Sequence, residues 1–303
     1  MASTPVKEPL VVVCLRHVDQ RARVDPLTGE IDRDPRSATA SAADLAALEH
    51  ALRIAEAWSG RVLAIAAGSP EADHTLRQAM ALGAQVMRVA WPQEREAYVR
   101  ELCAGERPLA RALAGAIAEA GSPAVVLCGD RSPDRGTGSV PAFLAYELGA
   151  AQALGLVRLD VDGDSLRGER RLDAGRRERL RIPRPAVCSV EPAGVRLRRA
   201  SLPATLASNA VPVPVVQPRT PPDEPSVRVG APHPYRPRTR VQPPPYGDTP
   251  HERLVQLTGV LVAHDPPTVV GPTDAAHAAE ALLDYLDRGG YARTPADVER
   301  EEA

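Results

Sequence analysis

The chain has 303 residues, of which 44% are apolar and 25% charged, and its formal net charge is −2. This length and apolar content predict one large domain, or one domain with an extension. A net charge this close to zero gives no electrostatic reason to expect nucleic acid or an anionic membrane as a partner. No apolar run approaches the roughly 20 residues that a membrane-spanning helix needs, and residues 1–9 lack a signal-peptide core, so we expect a cytoplasmic protein.

Few side chains in the sequence are arranged as catalytic or metal-binding groups usually are. The histidines show no spacing suited to a metal ion, and no serine lies in a Gly-x-Ser-x-Gly motif. The cysteines form no Cys-x-x-Cys pair and lie far apart, at Cys14, Cys103, Cys128 and Cys188. Most of them stand in apolar runs, which favours core packing over metal or disulfide chemistry. We therefore predict neither a metal site nor catalytic residues in this chain.

Strand and helix signals alternate through the first half of the chain. Unbroken apolar runs predict strands over residues 10–15, 61–67, 84–90 and 124–128. Start and stop signals, such as the capping-box pattern at Ser41–Asp44, predict helices over residues 41–60, 69–83, 109–120 and 140–148. The charged segment 21–36 fits a hairpin or a long loop. This alternation predicts an α/β fold whose mostly parallel sheet is covered by helices.

After Gly149 the pattern changes to short strands separated by turns. These strands are predicted over residues 157–161, 165–171, 178–182 and 186–190. From residue 212 to 250 there are 13 prolines in 39 residues, so this segment is predicted to be extended. A solvated linker fits it, and so does an arm that lies along a partner protein.

Helices are predicted again beyond the prolines, over residues 251–262 and 274–286. The second of them carries an apolar stripe, which has to be buried against something. The predicted organisation is an α/β nucleotide-binding core over 1–208, a proline-rich linker or arm over 209–250, and a helical segment over 251–303 that packs on a partner subunit.

The loop that follows the strand 124–128 is the strongest candidate site. It runs from Asp130 to Ser139, is rich in Gly, Thr and Ser, and leads into a helix with Pro141 in its first turn. Free backbone N–H groups at a helix start bind phosphate, and open α/β sheets hold ligands at the ends of parallel strands. The loop lacks the lysine of a Walker motif. A nucleotide-phosphate loop and a plain surface loop therefore both fit these residues.

Several segments together resemble the beta (small) subunit of electron transfer flavoproteins. The closest match is Thr75-Leu76-Arg77-Gln78-Ala79-Met80-Ala81-Leu82-Gly83-Ala84, where that family has Thr-Leu-Arg-x-Ala-Leu-Ala-Met-Gly-Ala. Other matching segments are Arg16-His17-Val18, Asp134 followed by Gly136-Thr137-Gly138-Ser139, Arg198-Arg199-Ala200-Ser201-Leu202-Pro203, and Asp265-Pro266-Pro267. The loop sequence and the long proline-rich insert also resemble the branch of this family associated with mycofactocin gene clusters.

The resemblance implies an adenine-nucleotide-alpha-hydrolase-like, or Rossmann-like, fold and a heterodimer with a larger alpha subunit. In that family the alpha subunit makes most of the contacts to a redox-active FAD, and the beta subunit holds AMP or, in some members, a second FAD. By this resemblance the residues beside the purine are Cys14, Ser41 and Ala67. Those around the phosphate are Gly129, Asp134, Gly136, Thr137, Gly138 and Ser139, with Asp134 capping the loop or contacting a ribose hydroxyl.

Leu202 matches the family's anchor leucine, which inserts into a pocket of a dehydrogenase partner. Each of these roles has a purely structural alternative. The residues beside the purine fit ordinary strand-end packing, the phosphate residues fit an ordinary surface loop, and Leu202 fits structural packing. The family often has lysines after the anchor, whereas the segment 203–208 has none. The identity of the partner dehydrogenase is therefore open.

The functional expectation is an electron carrier subunit without catalytic residues of its own. Paired with an alpha subunit, it accepts electrons from a dehydrogenase and passes them, through a quinone oxidoreductase, toward the respiratory quinone pool. One alternative is an ATP-dependent enzyme on the same fold, which measurable ATP turnover by the isolated chain would favour. The other is a nucleotide-sensing binding module, which the absence of a neighbouring alpha-subunit gene would favour.

Overall fold

The computed structural model describes residues 8–32, 34–91, 106–218, 244–258, 269, 271 and 274–289. The strands are β1 (Leu10–Cys14), β2 (Val18–Asp19), β3 (Arg23–Val24), β4 (Ile31–Asp32), β5 (Ala38–Thr39), β6 (Arg61–Gly68), β7 (Gln85–Ala90), β8 (Pro123–Gly129), β9 (Ala151–Asp162), β10 (Ser165–Arg171), β11 (Arg177–Ile182), β12 (Ala186–Val190) and β13 (Val215–Val216). The helices are α1 (Ala42–Trp58), α2 (Asp73–Met80), α3 (Arg107–Ala120), α4 (Val140–Leu148), α5 (Leu202–Ala210), α6 (Pro250–Thr258) and α7 (Ala275–Arg288).

The main sheet is nine-stranded, with the order β11-β10-β9-β12-β8-β1-β6-β7-β13. Every neighbouring pair from β9 to β13 along this order is parallel. Strands β9, β10 and β11 instead form an antiparallel meander at one side of the sheet. The predicted α/β fold with a mostly parallel, helix-covered sheet is confirmed.

Helices cover both faces of the sheet, so the central strands are buried on both sides. All five residues of β1 are buried, and alternate residues face opposite layers. Val11 and Val13 belong to the same core cluster as residues of α1 and α2, including Leu48 and Leu76. The other cluster holds Val12 together with residues of α3 and α4. Unbroken apolar strands are the sequence pattern that such two-sided burial requires.

The strand order reverses direction at β1. The chain passes from β1 to β6 and then β7 on one side, and β8 lies on the other side of β1. Open parallel sheets leave a crevice at such a switch point, beyond the carboxyl ends of the strands. The residues that follow β1 and β8 therefore face a common cleft, and the loop 130–139 lies at its rim.

Helix ends follow the local signals in the sequence. The capping box at the start of α1 is present, because Ser41 Oγ accepts from the Asp44 amide and the Asp44 carboxylate accepts from the Ser41 amide. The end of α4 is closed by Gly149, whose φ of 59° is left-handed. These local devices explain why both helices begin and end where the sequence predicts.

Two helix starts differ from expectation. The helix predicted from Ser69 opens instead with a 3-10 turn over Pro70–Ala72, where the Ala72 amide donates to the Ser69 carbonyl, and α2 begins at Asp73. Leu202, expected on a loop, is the first residue of α5. The Ser201 hydroxyl caps that helix by accepting from the Ala204 amide, so a helix starts where a loop was predicted.

The chain divides into two compact units, residues 1–236 and 237–303. The second unit contains α6 and α7, and α7 is capped by Asp274, which accepts from the His277 amide at 2.9 Å. The predicted helix 251–262 is observed up to Thr258, and its remainder lies outside the described residues. Most of the proline-rich segment also lies outside them, so the predicted boundaries at 208 and 250 stay predictions. Among the helices described, none has the length and apolar character to cross a bilayer.

Candidate functional site

A cleft lies at the switch point between β1 and β8. It encloses about 580 Å³ of space, part of it open to solvent. The residues around it come from the ends of β1, β6 and β8, from the starts of α1, α3 and α4, and from the loop after β8. They are Cys14, Leu15, Arg16, Asp44, Ala67, Glu106, Leu109, Leu113, Cys128, Gly129, Arg131, Ser132, Thr137, Gly138, Val140 and Pro141.

The structure brings part of the predicted site together in this cleft. Cys14, Ala67, Gly129, Thr137 and Gly138 all line it. The lining, taken over the described residues, leaves out four further predicted residues, Ser41, Asp134, Gly136 and Ser139. These four lie one step behind the lining, where they cap a helix, pair with a lining residue or shape the loop.

One wall of the cleft is apolar. Leu15, Ala67, Leu109, Leu113 and Val140 contribute to it. A flat aromatic ring system, such as a purine, gains free energy by leaving water for a surface of this kind. The small side chain of Ala67 at the end of β6 lets such a ring approach the backbone closely.

The thiols of Cys14 and Cys128 lie side by side at the ends of β1 and β8. Their mutual hydrogen bond and the burial of Cys128 raise the pKa of the Cys128 thiol well above its ordinary value. Both residues are buried and free of disulfide bonds. The raised pKa keeps the Cys128 thiol uncharged, so it acts as a small apolar group of the cleft floor and not as a nucleophile.

Tight backbone contacts shape the loop after β8. The Gly136 amide donates to the Ser132 carbonyl at 2.8 Å, and the Ser132 amide donates to the Thr137 carbonyl at 2.7 Å. Gly136 has a left-handed φ of 67°, which explains why glycine stands there. A Cβ on Gly138 would lie 2.4 Å from the Asp130 carbonyl oxygen, so only glycine fits that position.

The hydroxyl and amide donors of this loop converge on one carboxylate, that of Glu106. The hydroxyls of Thr137 and Ser139 both donate to it, and the Ser139 amide donates to Glu106 Oε2 at 2.9 Å. Glu106 directly precedes α3 and is only 7% exposed. The sequence-based site did not include this residue. The signal that could have found it is Pro108, which places the helix start just after Glu106 and so at the same sheet edge as the loop.

Asp134 is tied to the end of β1 by a salt bridge. Its carboxylate lies 2.7 Å from Arg16 Nη2 and also accepts from the Ser132 hydroxyl. Burial raises the pKa of the Asp134 carboxyl, but the hydrogen bond and the charge of Arg16 outweigh this and leave that pKa below its ordinary value. Asp134 thus holds the loop against β1, which agrees with a capping role.

Asp44 is a second residue that sequence analysis did not place at the site. It lines the cleft, is 6% exposed, and approaches Gly129 so closely that a Cβ there would lie 2.6 Å from Asp44 Oδ1. Burial raises the pKa of its carboxyl to about 6, and hydrogen bonds from Ser41 and from the backbone of Gly129 and Arg16 limit that rise. The capping-box pattern predicted its helix position, but the approach of Gly129 depends on the fold.

Leu202 lies apart from the cleft, on α5. It is 70% exposed, and Leu206, one turn later on the same helix, is 62% exposed. Arg198, which stands before the helix, fixes this segment to α1. Its amide donates to Glu49 Oε2 at 3.0 Å, and its guanidinium also bonds Glu49 and Glu56. The exposed leucines are therefore presented by an anchored helix.

Arg198→Ala is expected to destabilise the first unit by about 2 kcal/mol, because the nearly buried Glu49 carboxylate loses one of the two arginines that pair with it among the described residues, the other being Arg53. Urea unfolding followed by tryptophan fluorescence measures this. Arg199→Ala, at the exposed neighbouring position, is the control and is expected to cost less than about 0.5 kcal/mol. Equal effects of the two substitutions would contradict the anchoring role of Arg198.

The described ranges contain no group of three or more His, Cys, Asp or Glu side chains placed to hold a metal ion. What the cleft offers is different: an apolar wall, hydroxyl and amide donors at a helix start, and a salt bridge that holds the loop. These are the parts that an adenine nucleotide needs, with the wall suited to the base and the donors suited to anionic oxygens.

The sequence is similar to known electron transfer flavoproteins. The electron transfer flavoprotein domain family matches residues 28–220, which is more than half of the chain. "Electron transfer flavoprotein subunit beta" of Thermoanaerobacterium thermosaccharolyticum is 30% identical over 174 residues, covering 54% of this chain and 62% of that protein. "Protein FixA" of Azorhizobium caulinodans is 31% identical over 170 residues, covering 54% and 60%.

"Protein FixA" of Rhizobium meliloti is 29% identical over 197 residues, covering 63% of this chain and 66% of that protein. The chain thus spans about three fifths of the length of the first two of these curated relatives, and just under two thirds of the third. The family segment begins before α1 and ends after β13, so it contains α1 to α5 and the loop after β8. This chain therefore belongs to the electron transfer flavoprotein domain family.

Proposed function

We propose that this chain is the beta-type subunit of an electron transfer flavoprotein. It pairs with an alpha subunit, accepts electrons from a dehydrogenase and passes them toward the quinone pool through a quinone oxidoreductase. It contributes no catalytic residue of its own. The observation that carries the proposal is that the matched family segment contains the cleft at the switch point, the loop after β8 that borders it, and the start of α4.

The cleft is proposed to hold the adenylate part of AMP or of a second FAD. The base would lie against the apolar wall formed by Leu109, Leu113 and Val140. The phosphate would bind the Thr137 hydroxyl, which lines the cleft, and the Ser139 amide behind it, both of which donate to Glu106 in this structure. The flavin that stores and transfers the electrons is proposed to be FAD held mainly by the alpha subunit. The residues of this chain then act by position and charge, since Arg16 and Asp134 keep the loop in place.

The second unit is proposed to pack on the alpha subunit. Helix α7 leaves Leu282, Leu283 and Tyr285 between 58% and 62% exposed, and α6 leaves Leu254 and Leu257 at a similar level. Short helices with exposed apolar side chains gain stability when a partner covers them. The similarity of the loop and insert to the mycofactocin-associated branch suggests the class of donor dehydrogenase, and this assignment is part of the proposal.

Co-expression with an alpha subunit of the electron transfer flavoprotein family tests the proposal. The expected product is a yellow heterodimer that contains FAD, and mass spectrometry of the small molecules released by denaturation is expected to identify a second adenine nucleotide. A chain that remains monomeric and colourless in this experiment would contradict the proposal. ATP turnover by the isolated chain would instead support an ATP-dependent enzyme.

Leu202→Ala is expected to slow electron transfer from the donor dehydrogenase by about tenfold, because a leucine buried at an interface contributes roughly 1.5–3 kcal/mol. The measurement is the kcat/KM for reduction of the heterodimer by the dehydrogenase. The matched control is Leu27→Ala, since Leu27 is 82% exposed and lies in the hairpin between β3 and β4. An unchanged kcat/KM in the Leu202 variant would remove this residue from the docking surface.

A further inference from the structure

The donors proposed for a phosphate are already engaged by a group of this chain. Thr137 and Ser139 direct two hydroxyls and one amide to the Glu106 carboxylate. Ser139 directly precedes α4, so the carboxylate lies at the amino-terminal end of that helix. Glu106 is 7% exposed and borders the cleft, which places its carboxylate inside the site and not on its outer surface.

A carboxylate and a phosphate make the same demands on their surroundings. The planar carboxylate and the tetrahedral phosphate both carry anionic oxygens that accept hydrogen bonds from hydroxyls and amides. Both are also stabilised by the partial positive charge at the amino terminus of a helix. A carboxylate and a phosphate cannot share one set of donors, because two negative charges bound to the same hydroxyls and amide repel each other strongly in a partly buried site. One of them must leave before the other can bind.

We propose that Glu106 is an internal anion that occupies the phosphate position of this cleft and thereby determines which ligands it accepts. A ligand phosphate has to displace the carboxylate from Thr137 and Ser139, whereas an uncharged nucleoside that contacts only the apolar wall does not. The inference rests on the proposed function in that it takes an adenine nucleotide as the ligand. It adds a specificity-determining residue outside the loop, at the start of α3.

Isothermal titration of the full-length chain with AMP and with adenosine tests this inference. Glu106→Ala removes the competing carboxylate and is expected to bind AMP at least about tenfold more tightly than the wild type, with adenosine affinity changed by less than about twofold. Glu106→Gln keeps the shape and the acceptor oxygen but not the charge, and is expected to show a smaller gain for AMP. It also serves as the variant that folds if the alanine variant does not.

The control for a change in overall charge is Glu30→Ala, because Glu30 is an exposed carboxylate in the hairpin segment. Its AMP affinity is expected to equal that of the wild type. An equal gain in Glu30→Ala would show a general charge effect and would overturn the inference. Unchanged or weaker AMP binding in both Glu106 variants, with clear AMP binding by the wild type, would overturn it too and leave the proposed function standing.

If the proposed function itself is wrong, the titrations give a different result from those that overturn the role of Glu106 alone. In that case neither AMP nor adenosine binds to the wild type or to any variant, and the cleft is no adenine-nucleotide site. Adenosine binding by the wild type, together with AMP binding that becomes strong only without the Glu106 carboxylate, supports both the site and the competing anion.

Discussion

Gly138→Ala is expected to weaken AMP binding by at least about tenfold, since it displaces two or more loop donors worth roughly 0.5–1.5 kcal/mol each. The added methyl group would lie 2.4 Å from the Asp130 carbonyl oxygen. Asp130 cannot retreat easily, because its amide donates to the Val190 carbonyl of β12 at 3.0 Å. The loop has to move instead, and Thr137 moves with it. Gly138→Asp adds a carboxylate at the same place and is expected to abolish binding.

The matched control is Gly136→Ala. Gly136 has a left-handed φ of 67°, so alanine costs roughly 1–2 kcal/mol of stability there. Apart from its two neighbours in the chain, no described residue has an atom within 4 Å of the position where the Gly136 Cβ would stand, so the added methyl group meets no steric clash. AMP affinity, measured by titration calorimetry, is expected to stay within about twofold of the wild type. Equal losses in the two variants would show that general loop strain, and not the Gly138 contact, controls binding.

Asp44→Asn is expected to change how the stability of the first unit depends on pH. Burial raises the pKa of Asp44 from 3.8 to about 6 in the folded state. Between these values the folded chain keeps a proton that the unfolded chain releases, so the wild type loses stability as the pH rises through this window. The loss amounts to roughly 2 kcal/mol between pH 4 and pH 7, and the asparagine variant lacks it.

Urea unfolding at several pH values measures this difference. Both tryptophans, Trp58 and Trp91, belong to the first unit, so their fluorescence reports the unfolding of the unit that contains Asp44. Asp134→Asn provides a control of opposite sign. Because the folded-state pKa of Asp134 is lowered, its contribution is present above the unfolded-state pKa and is lost as the pH falls. A pH-independent difference between the wild type and Asp44→Asn would contradict the assignment.

Local patterns predicted most strands and several helix ends because the causes of these elements are local. The all-apolar run of β1 requires burial on both faces, and the pair Ser41 and Asp44 caps α1 through contacts three residues apart. The start of α5 carried the same kind of signal, since Ser201 precedes a helix with Pro203 in its first turn. The match to the family's recognition segment led to a loop prediction there, although the capping residue was present.

The site was only partly predictable because its geometry depends on contacts distant in the sequence. The glycine-rich segment and the apolar strand before it located the loop. The hydrogen bond between Glu106 and Ser139, however, joins residues 33 positions apart in the sequence, and that between Arg16 and Asp134 joins residues 118 positions apart. No periodicity or motif in one sequence encodes such pairs. The resemblance to electron transfer flavoproteins supplied the family and the expected roles of the loop residues. The positions of the Asp44 and Glu106 carboxylates at the cleft became known only from the fold.

The position of β12 has a consequence for how the chain reaches this fold. β12 lies between β8 and β9, and it pairs with β8 through Ala186↔Val125 and with β9 through Ala186↔Ala151. The meander β9–β10–β11 is built from neighbouring segments and forms from local contacts. Since β12 is the strand that joins β8 to β9, we expect the two halves of the sheet to combine only after residues 186–190 have been synthesised.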